Sequence, residues 1–131
     1  MARRRIQVVV GDVIVADEIS RTLQDLGHEV TAVVNSGEEA VNRAQEDIPD
    51  LILMDTTLQG NMDGLDAASQ IRSRSFTPIV YLTPHVDSLF MERAQQTAPY
   101  GFILKPVAED ELESSVQMAL GAPPPGDHEC A

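Results

Sequence analysis

The stretch Leu51-Ile52-Leu53-Met54-Asp55, followed by Thr56-Thr57-Leu58-Gln59-Gly60-Asn61-Met62-Asp63-Gly64, decides how this chain folds. Four apolar residues in a row, preceded by Pro49-Asp50 and followed by a turn-rich segment, read as a short strand buried on both faces. Asp55 closes it. A carboxylate at the C-terminal end of a buried strand stands on the side where open α/β sheets place their ligand sites. Two other apolar runs also close on polar residues. Ile79-Val80-Tyr81-Leu82 ends in Thr83, and Phe102-Ile103-Leu104 ends in Lys105-Pro106. In a parallel sheet these three ends converge, and an acid, a hydroxyl and an ammonium together suit a phosphoryl group bound to the carboxylate.

Working outward, strands alternate with helices. Ile6 to Val10 is apolar and β-branched, the first strand. A helix is predicted over Ile14 to Leu26, with Ile19, Leu23 and Leu26 at helical spacing and Gly27 as its stop. Glu29 to Val34 reads as the second strand. Ser36 and Glu39 have capping-box spacing and open a helix to about Glu46. Asp63 to Arg74 reads as a third helix, with Leu65, Ala68 and Ile71 inward. Pro78 precedes the fourth strand. Asp87 to Thr97 reads as a short helix with Leu89, Phe90 and Ala94 available for packing. Ala98-Pro99-Tyr100-Gly101 turns into the fifth strand. Glu109 to Leu120 is the last helix, with acids in its first turn as the macrodipole prefers. This alternation predicts βαβ units, a parallel sheet and helices on both of its faces.

The chain has 131 residues, enough for one domain. Hydrophobic residues are 43% of it, with no Trp, so the core must be mainly Val, Ile, Leu and Ala. A formal net charge of −12 argues against a nucleic-acid-binding surface. The short Arg3-Arg4-Arg5 cluster reads as a solubilising lead-in to the first strand. Cys130 is the only cysteine, so no disulfide framework forms within the chain, as suits a reducing cytosol. There is no zinc-type spacing, no signal-peptide apolar region, and no apolar run near the roughly 18 residues of a membrane span. A cytoplasmic protein with neither nucleic acid nor membrane as partner is expected. Residues 4–120 form the expected domain and 121–131, rich in Pro and polar groups, a linker or disordered tail.

Leu51-Ile52-Leu53-Met54-Asp55, Met62-Asp63-Gly64, Pro78-Ile79-Val80-Tyr81-Leu82-Thr83 and Gly101-Phe102-Ile103-Leu104-Lys105-Pro106 resemble the receiver domain of two-component response regulators. Each motif alone is weak; all of them in order, at the ends of alternating strands, are a strong signal. The resemblance runs from about Arg4 to Leu120. It implies a flavodoxin-like, doubly wound α/β fold, a five-stranded parallel sheet of (βα)5 type in a single domain. It implies that Asp55 accepts a phosphoryl group from a histidine kinase or phosphotransfer domain. Lys105 would pair with a phosphoryl oxygen, and Thr83 would bond another once Asp55 is phosphorylated. Phe102 stands at the switch aromatic, which turns inward as Thr83 moves. The Thr57 carbonyl would join Asp55 as a Mg²⁺ ligand, and Lys105-Pro106 would be cis. The face at about 87–118 would carry output to a downstream protein or attached domain. His85, two residues after Thr83, lies where receivers tune acyl-phosphate hydrolysis; otherwise His85 and His28 read as surface histidines. Such a domain is not an enzyme beyond self-catalysed phosphoryl transfer and acyl-phosphate hydrolysis.

One departure stands out. Receivers carry two adjacent acids after the first strand, which hold Mg²⁺ with the acceptor. Here the stretch is Val8-Val9-Val10-Gly11-Asp12-Val13-Ile14. Counting back without gaps from Gly27 puts Val10 and Gly11 at the paired acids and Asp12 one place too far along. With one residue missing from the loop, Asp12 would instead be the direct ligand. The ungapped register requires substitutions only. Mg²⁺ is normally held by one or two carboxylates plus water and phosphate, so binding here should be weakened. A degenerate pseudo-receiver, an interaction module working without phosphorylation, is the alternative. A phosphatase of the haloacid dehalogenase type would need an acid two residues after Asp55, where Thr57 stands. Flavin binding lacks the required hydroxyl- and glycine-rich loop after the first strand.

Overall fold

The computed structural model describes residues 4–58 and 60–121. In chain order the elements are β1 (Arg5–Val9), α1 (Val13–Asp25), β2 (Glu29–Val34), α2 (Gly37–Asp47), β3 (Leu51–Asp55), α3 (Gly64–Arg72), β4 (Ile79–Thr83), α4 (Ser88–Gln95), β5 (Gly101–Leu104) and α5 (Glu109–Gly121). The sheet has the order β2-β1-β3-β4-β5, with every neighbouring pair parallel. This is the doubly wound α/β fold that the alternation predicts.

Side-chain alternation along the strands builds two apolar layers. Ile52 and Met54 face Val41 of α2, Leu65 and Ile71 of α3, and Phe90 and Ala94 of α4. Leu51 and Leu53 face Ile19 and Leu23 of α1 and Leu112 and Val116 of α5. Because β3 is central and buried throughout, its run shows no polar alternation.

Four helices start on a side-chain cap, and this fixes their first turns. Asp12 caps α1, Ser36 caps α2, Asp63 caps α3 and Asp87 caps α4. At α2 the Ser36 hydroxyl accepts from the Glu39 amide at 3.2 Å. The reciprocal pair of bonds that defines a capping box occurs at Asp63 and Asp66 instead. Gly27 ends the first helical segment with φ +92°, a conformation that favours glycine.

The structure corrects several expectations. Arg5 is not a lead-in: it is the first residue of β1, its amide bonded to Asp50 Oδ2 at 2.8 Å and its guanidinium to the Asp47 carbonyl. Helix α4 is shorter at both ends than predicted, since Asp87 is its cap and Thr97 lies beyond it. Leu89 is 68% exposed rather than packed. Gly121 belongs to α5 rather than to the tail, whose residues 122–131 lie outside those described. His85 is exposed, but His28 is half-buried, and burial lowers its pKa.

Candidate functional site

The C-terminal ends of β1, β3 and β5 meet at Asp55. Strand alternation gives Asp55 the parity of Leu51 and Leu53, so its side chain emerges on the α1–α5 side. There it lines a cleft of about 740 Å³ with Val10, Asp12, Lys105 and Pro106. The carboxylate is only 2% exposed. Its Oδ1 accepts three bonds: from Lys105 Nζ at 2.7 Å, Thr57 N at 2.9 Å and Thr57 Oγ1 at 2.8 Å. Lys105 Nζ also donates to Thr57 Oγ1 at 3.0 Å, closing a triangle of acid, hydroxyl and ammonium. Oδ2 receives the Gly11 amide at 3.4 Å. Burial pushes the Asp55 carboxyl up, but the donors from Lys105 and Thr57 outweigh it and hold the pKa below the usual carboxylate value. Asp55 is therefore an anion at neutral pH.

The backbone sets this geometry. Asp55 pairs with Leu82 across β3 and β4, and Thr83 with Leu104 across β4 and β5. The Lys105 amide continues the ladder to the Thr83 carbonyl at 2.9 Å, and Lys105-Pro106 is cis. Gly64 explains the glycine after Met62-Asp63. A Cβ there would lie 2.1 Å from the Asp55 carbonyl oxygen, so only glycine lets α3 begin against the end of β3.

Thr83 is buried at the next strand end. Its hydroxyl donates to the His85 carbonyl at 2.9 Å, a local turn bond. Phe102 is 38% exposed and presents an edge-to-face contact to Phe90, centroids 5.8 Å apart. Phe90 in turn meets Tyr81 at 5.8 Å. The Tyr81 hydroxyl pairs with Thr97 Oγ1 at 2.6 Å. Burial pushes the Tyr81 phenol up to about 12. Sequence reasoning missed this chain of rings and its anchor at Thr97. The signal available was a tyrosine inside a fully apolar strand, whose hydroxyl requires a partner. It also missed Arg93, which pairs with Asp63 at 3.2 Å and Asp66 at 3.1 Å and ties α4 to the start of α3.

At the end of β1, Val10 is buried in the α1–α5 layer, and Gly11 brings only its amide toward Asp55. Asp12 Oδ1 accepts from the Ile14 and Val15 amides at 2.8 and 3.3 Å. Asp12 thus lines the cleft but serves α1. Among the described residues, no group of three or more His, Cys, Asp or Glu side chains is placed to hold a metal ion. Mg²⁺ demands an octahedral oxygen shell, usually with one or two carboxylates. Asp55, with Oδ1 already taken by three donors, does not supply that set. As they stand, the residues present do not fit a resident divalent cation.

A family model described as "Response regulator receiver domain" matches residues 6–117. The chain belongs to the response-regulator receiver family. Among curated proteins, the receiver is 30% identical over 117 residues to the transcriptional regulatory protein PdtaR of Mycobacterium tuberculosis, covering 89% of this chain and 57% of that protein. It is 34% identical over 118 residues to the DNA-binding response regulator MtrA of Mycobacterium leprae, covering 90% and 52%. The chain thus spans little more than half the length of these relatives. Among solved structures, the receiver resembles the signal receiver domain of a modulated diguanylate cyclase from Desulfovibrio desulfuricans, with TM-score 0.84, 33% identity, and coverage of 91% and 94%. It also resembles the receiver domain of a sensor histidine kinase from Pseudomonas aeruginosa, solved with a magnesium ion coordinated in the active-site cleft. That match has TM-score 0.82, 30% identity, and coverage of 92% and 100%. Receivers are signalling modules of two-component systems, and response regulators work with histidine kinases. No helix among the described residues is long and apolar enough to cross a membrane.

Proposed function

We propose that this receiver takes a phosphoryl group onto Asp55 from a phosphohistidine of a kinase or phosphotransfer domain. The observation that carries this reading is the buried, ionised Asp55 carboxylate with the Lys105 ammonium 2.7 Å away at the end of β3. Oδ1 is held by three donors, whereas Oδ2 has only the Gly11 amide at 3.4 Å, so Oδ2 is the oxygen available to attack. It forms the new O–P bond as the P–N bond breaks. The bonding electrons stay on the imidazole nitrogen, and neutral histidine leaves if the other ring nitrogen carries the proton. Lys105 counters the charge gathering on the phosphoryl oxygens, since catalysis of such transfers is largely positioning and electrostatics. Thr83 leaves its bond to the His85 carbonyl to meet a phosphoryl oxygen, and Phe102 moves with it against Phe90. Output then passes through the 87–118 face, where Leu89, Phe102, Leu104 and Met118 are exposed, to a downstream protein or attached domain. The acidic charge favours a protein partner over nucleic acid, and the domain acts in the cytoplasm. Mg²⁺ binding is weak, in the millimolar range or worse.

The test is a small phosphodonor with intact-mass detection. One added phosphoryl group, acid-labile and absent from Asp55→Asn, is expected. Labelling that survives in Asp55→Asn would put the acceptor elsewhere. The second reading, a pseudo-receiver that binds its partner unphosphorylated, is favoured by Val10, Gly11 and the capping role of Asp12 at the end of β1. It gains if no mass is added while Asp55→Asn still binds the partner normally.

A further inference from the structure

We infer that the charge on Asp55 is countered by the protein's own donors instead of a divalent cation, with Thr57 as the positioning residue that holds Lys105 on Oδ1. The phosphoryl-transfer arm of this inference rests on the acceptor reading above; the neutralisation itself does not.

Three observations converge. First, the donors are local and complete on one oxygen. Thr57 gives both its amide and its hydroxyl to Oδ1, and Lys105 adds its ammonium. Second, the Thr57 hydroxyl is used twice, donating to Asp55 and accepting from Lys105. A lysine on a four-carbon stem is otherwise a mobile charge. A β-branched residue two places after the acid, stiff at χ1, gives it a fixed second anchor. Third, of the oxygens that would recruit a cation, Asp55 Oδ2 is left with only the Gly11 amide at 3.4 Å, and the acids that would join it are missing or engaged. Val10 points its side chain into the apolar layer, Gly11 has none, and Asp12 Oδ1 holds two amides of α1. Moving Asp12 onto a metal would uncap that helix. The remaining acids of the cleft, Glu18, Asp25 and Glu109, belong to α1 and α5 and attract cations only diffusely.

Acetyl phosphate gives its phosphoryl group to Asp55 Oδ2. The donor's P–O bond breaks with its electrons on the departing acetate, and no proton is needed. The initial rate, read by intact mass on the full chain, should agree within about twofold between about 10 mM Mg²⁺ and excess EDTA at matched ionic strength, because positioning and neutralisation come from the protein. Independently of transfer, Mg²⁺ titration followed by the Gly11 and Thr57 amide signals and the Lys105 ammonium signal should show no saturation below about 10 mM, above the range of ordinary carboxylate cation sites. Thr57→Val should broaden or lose the Lys105 ammonium signal and slow labelling by about tenfold or more. Thr57→Ser, which keeps the hydroxyl, should restore both. Gly11→Asp adds one acid beside Oδ2. Nothing lies within 4 Å of a Cβ at Gly11, and its φ is outside the left-handed region, so the variant should fold and acquire a saturable Mg²⁺ response.

Saturable Mg²⁺ shifts in the original chain, or labelling tenfold faster in Mg²⁺ than in EDTA, would overturn the inference. So would a Thr57→Val protein with an unchanged Lys105 signal. Absence of labelling in either medium would sink the acceptor reading alone. The titration and the Thr57 variants would then decide the neutralisation by themselves.

Discussion

At the residue scale, the site is a contest between burial and donors, and the donors win at Asp55. Its carboxyl is held below the ordinary value, so the group contributes stability that is fully present above the unfolded carboxylate pKa and is lost as pH falls through the lowered one. Asp55→Asn should therefore flatten the acid limb of a urea-unfolding profile in that window; an unchanged limb would contradict the assignment. Lys105→Ala should move the acid limb toward higher pH. With the ammonium gone, burial gains weight and the Asp55 pKa should rise. The cost at neutral pH should be about 1–3 kcal/mol, the usual penalty for a buried polar group losing a charged partner. A neutral-pH stability equal to the parent's would argue that Thr57 alone satisfies Oδ1. That Asp55 and Lys105 meet was legible in the sequence because each follows or closes an apolar strand, whereas Thr83, which closes a third, turns its hydroxyl to the His85 carbonyl. Asp12 could be read two ways, since a metal ligand and a helix cap call for the same carboxylate; the structure puts its Oδ1 on the Ile14 and Val15 amides. The Thr57 side chain was passed over because it was weighed only as a failed acid and a carbonyl ligand.

At the element scale, helix α3 meets the acceptor at its first turn, and α4 joins α3 there through Arg93 in its own last turn. Gly64 lets α3 start against the Asp55 carbonyl, and Asp63 caps it. Gly64→Ala should destabilise the fold by about 2 kcal/mol or more, because the clash is with backbone and something must move. It should also disturb the Asp55 amide signal, and a silent substitution would mean that the loop relaxes freely. Asp63→Ala should cost about 1–2 kcal/mol as a lost cap. Arg93→Ala should cost no more than about 1 kcal/mol, because its pairs with Asp63 and Asp66 are exposed and screened. Denaturant midpoints of the two variants would rank them, and a larger loss in Arg93→Ala would refute the ordering. The shortness of α4 was not legible from apolar spacing. Thr97 turns its hydroxyl to Tyr81 and to the Ala94 carbonyl, and Ala98 before Pro99 takes φ +50°, so the helix stops where long-range packing needs it to.

For the whole molecule, alternation of apolar runs with amphipathic segments was enough to predict a parallel sheet with two apolar layers. Central strands buried on both faces have a distinctive run of aliphatic residues, and β3 has it in full. Charge is the other property of the molecule as a whole. A net charge of −12 on 131 residues makes the native state repel itself. The ion pairs that offset this, such as Arg21 with Asp17 and Arg43 with Asp47, lie at the surface or close to it, where each contributes little. Salt screens both terms, but the excess of one sign is summed over the whole surface, whereas the pairs are few and weak. Raising NaCl from about 0.05 to about 0.3 M shortens the screening length from about 14 Å to about 6 Å. The melting temperature should therefore rise with NaCl and level off, without the steeper gain that an excluded salt such as sulfate adds. Gly11→Asp should make this dependence slightly steeper by adding one more charge. A melting temperature that falls as NaCl rises would show that the ion pairs, Lys105 with Asp55 foremost, outweigh the repulsion between the acids.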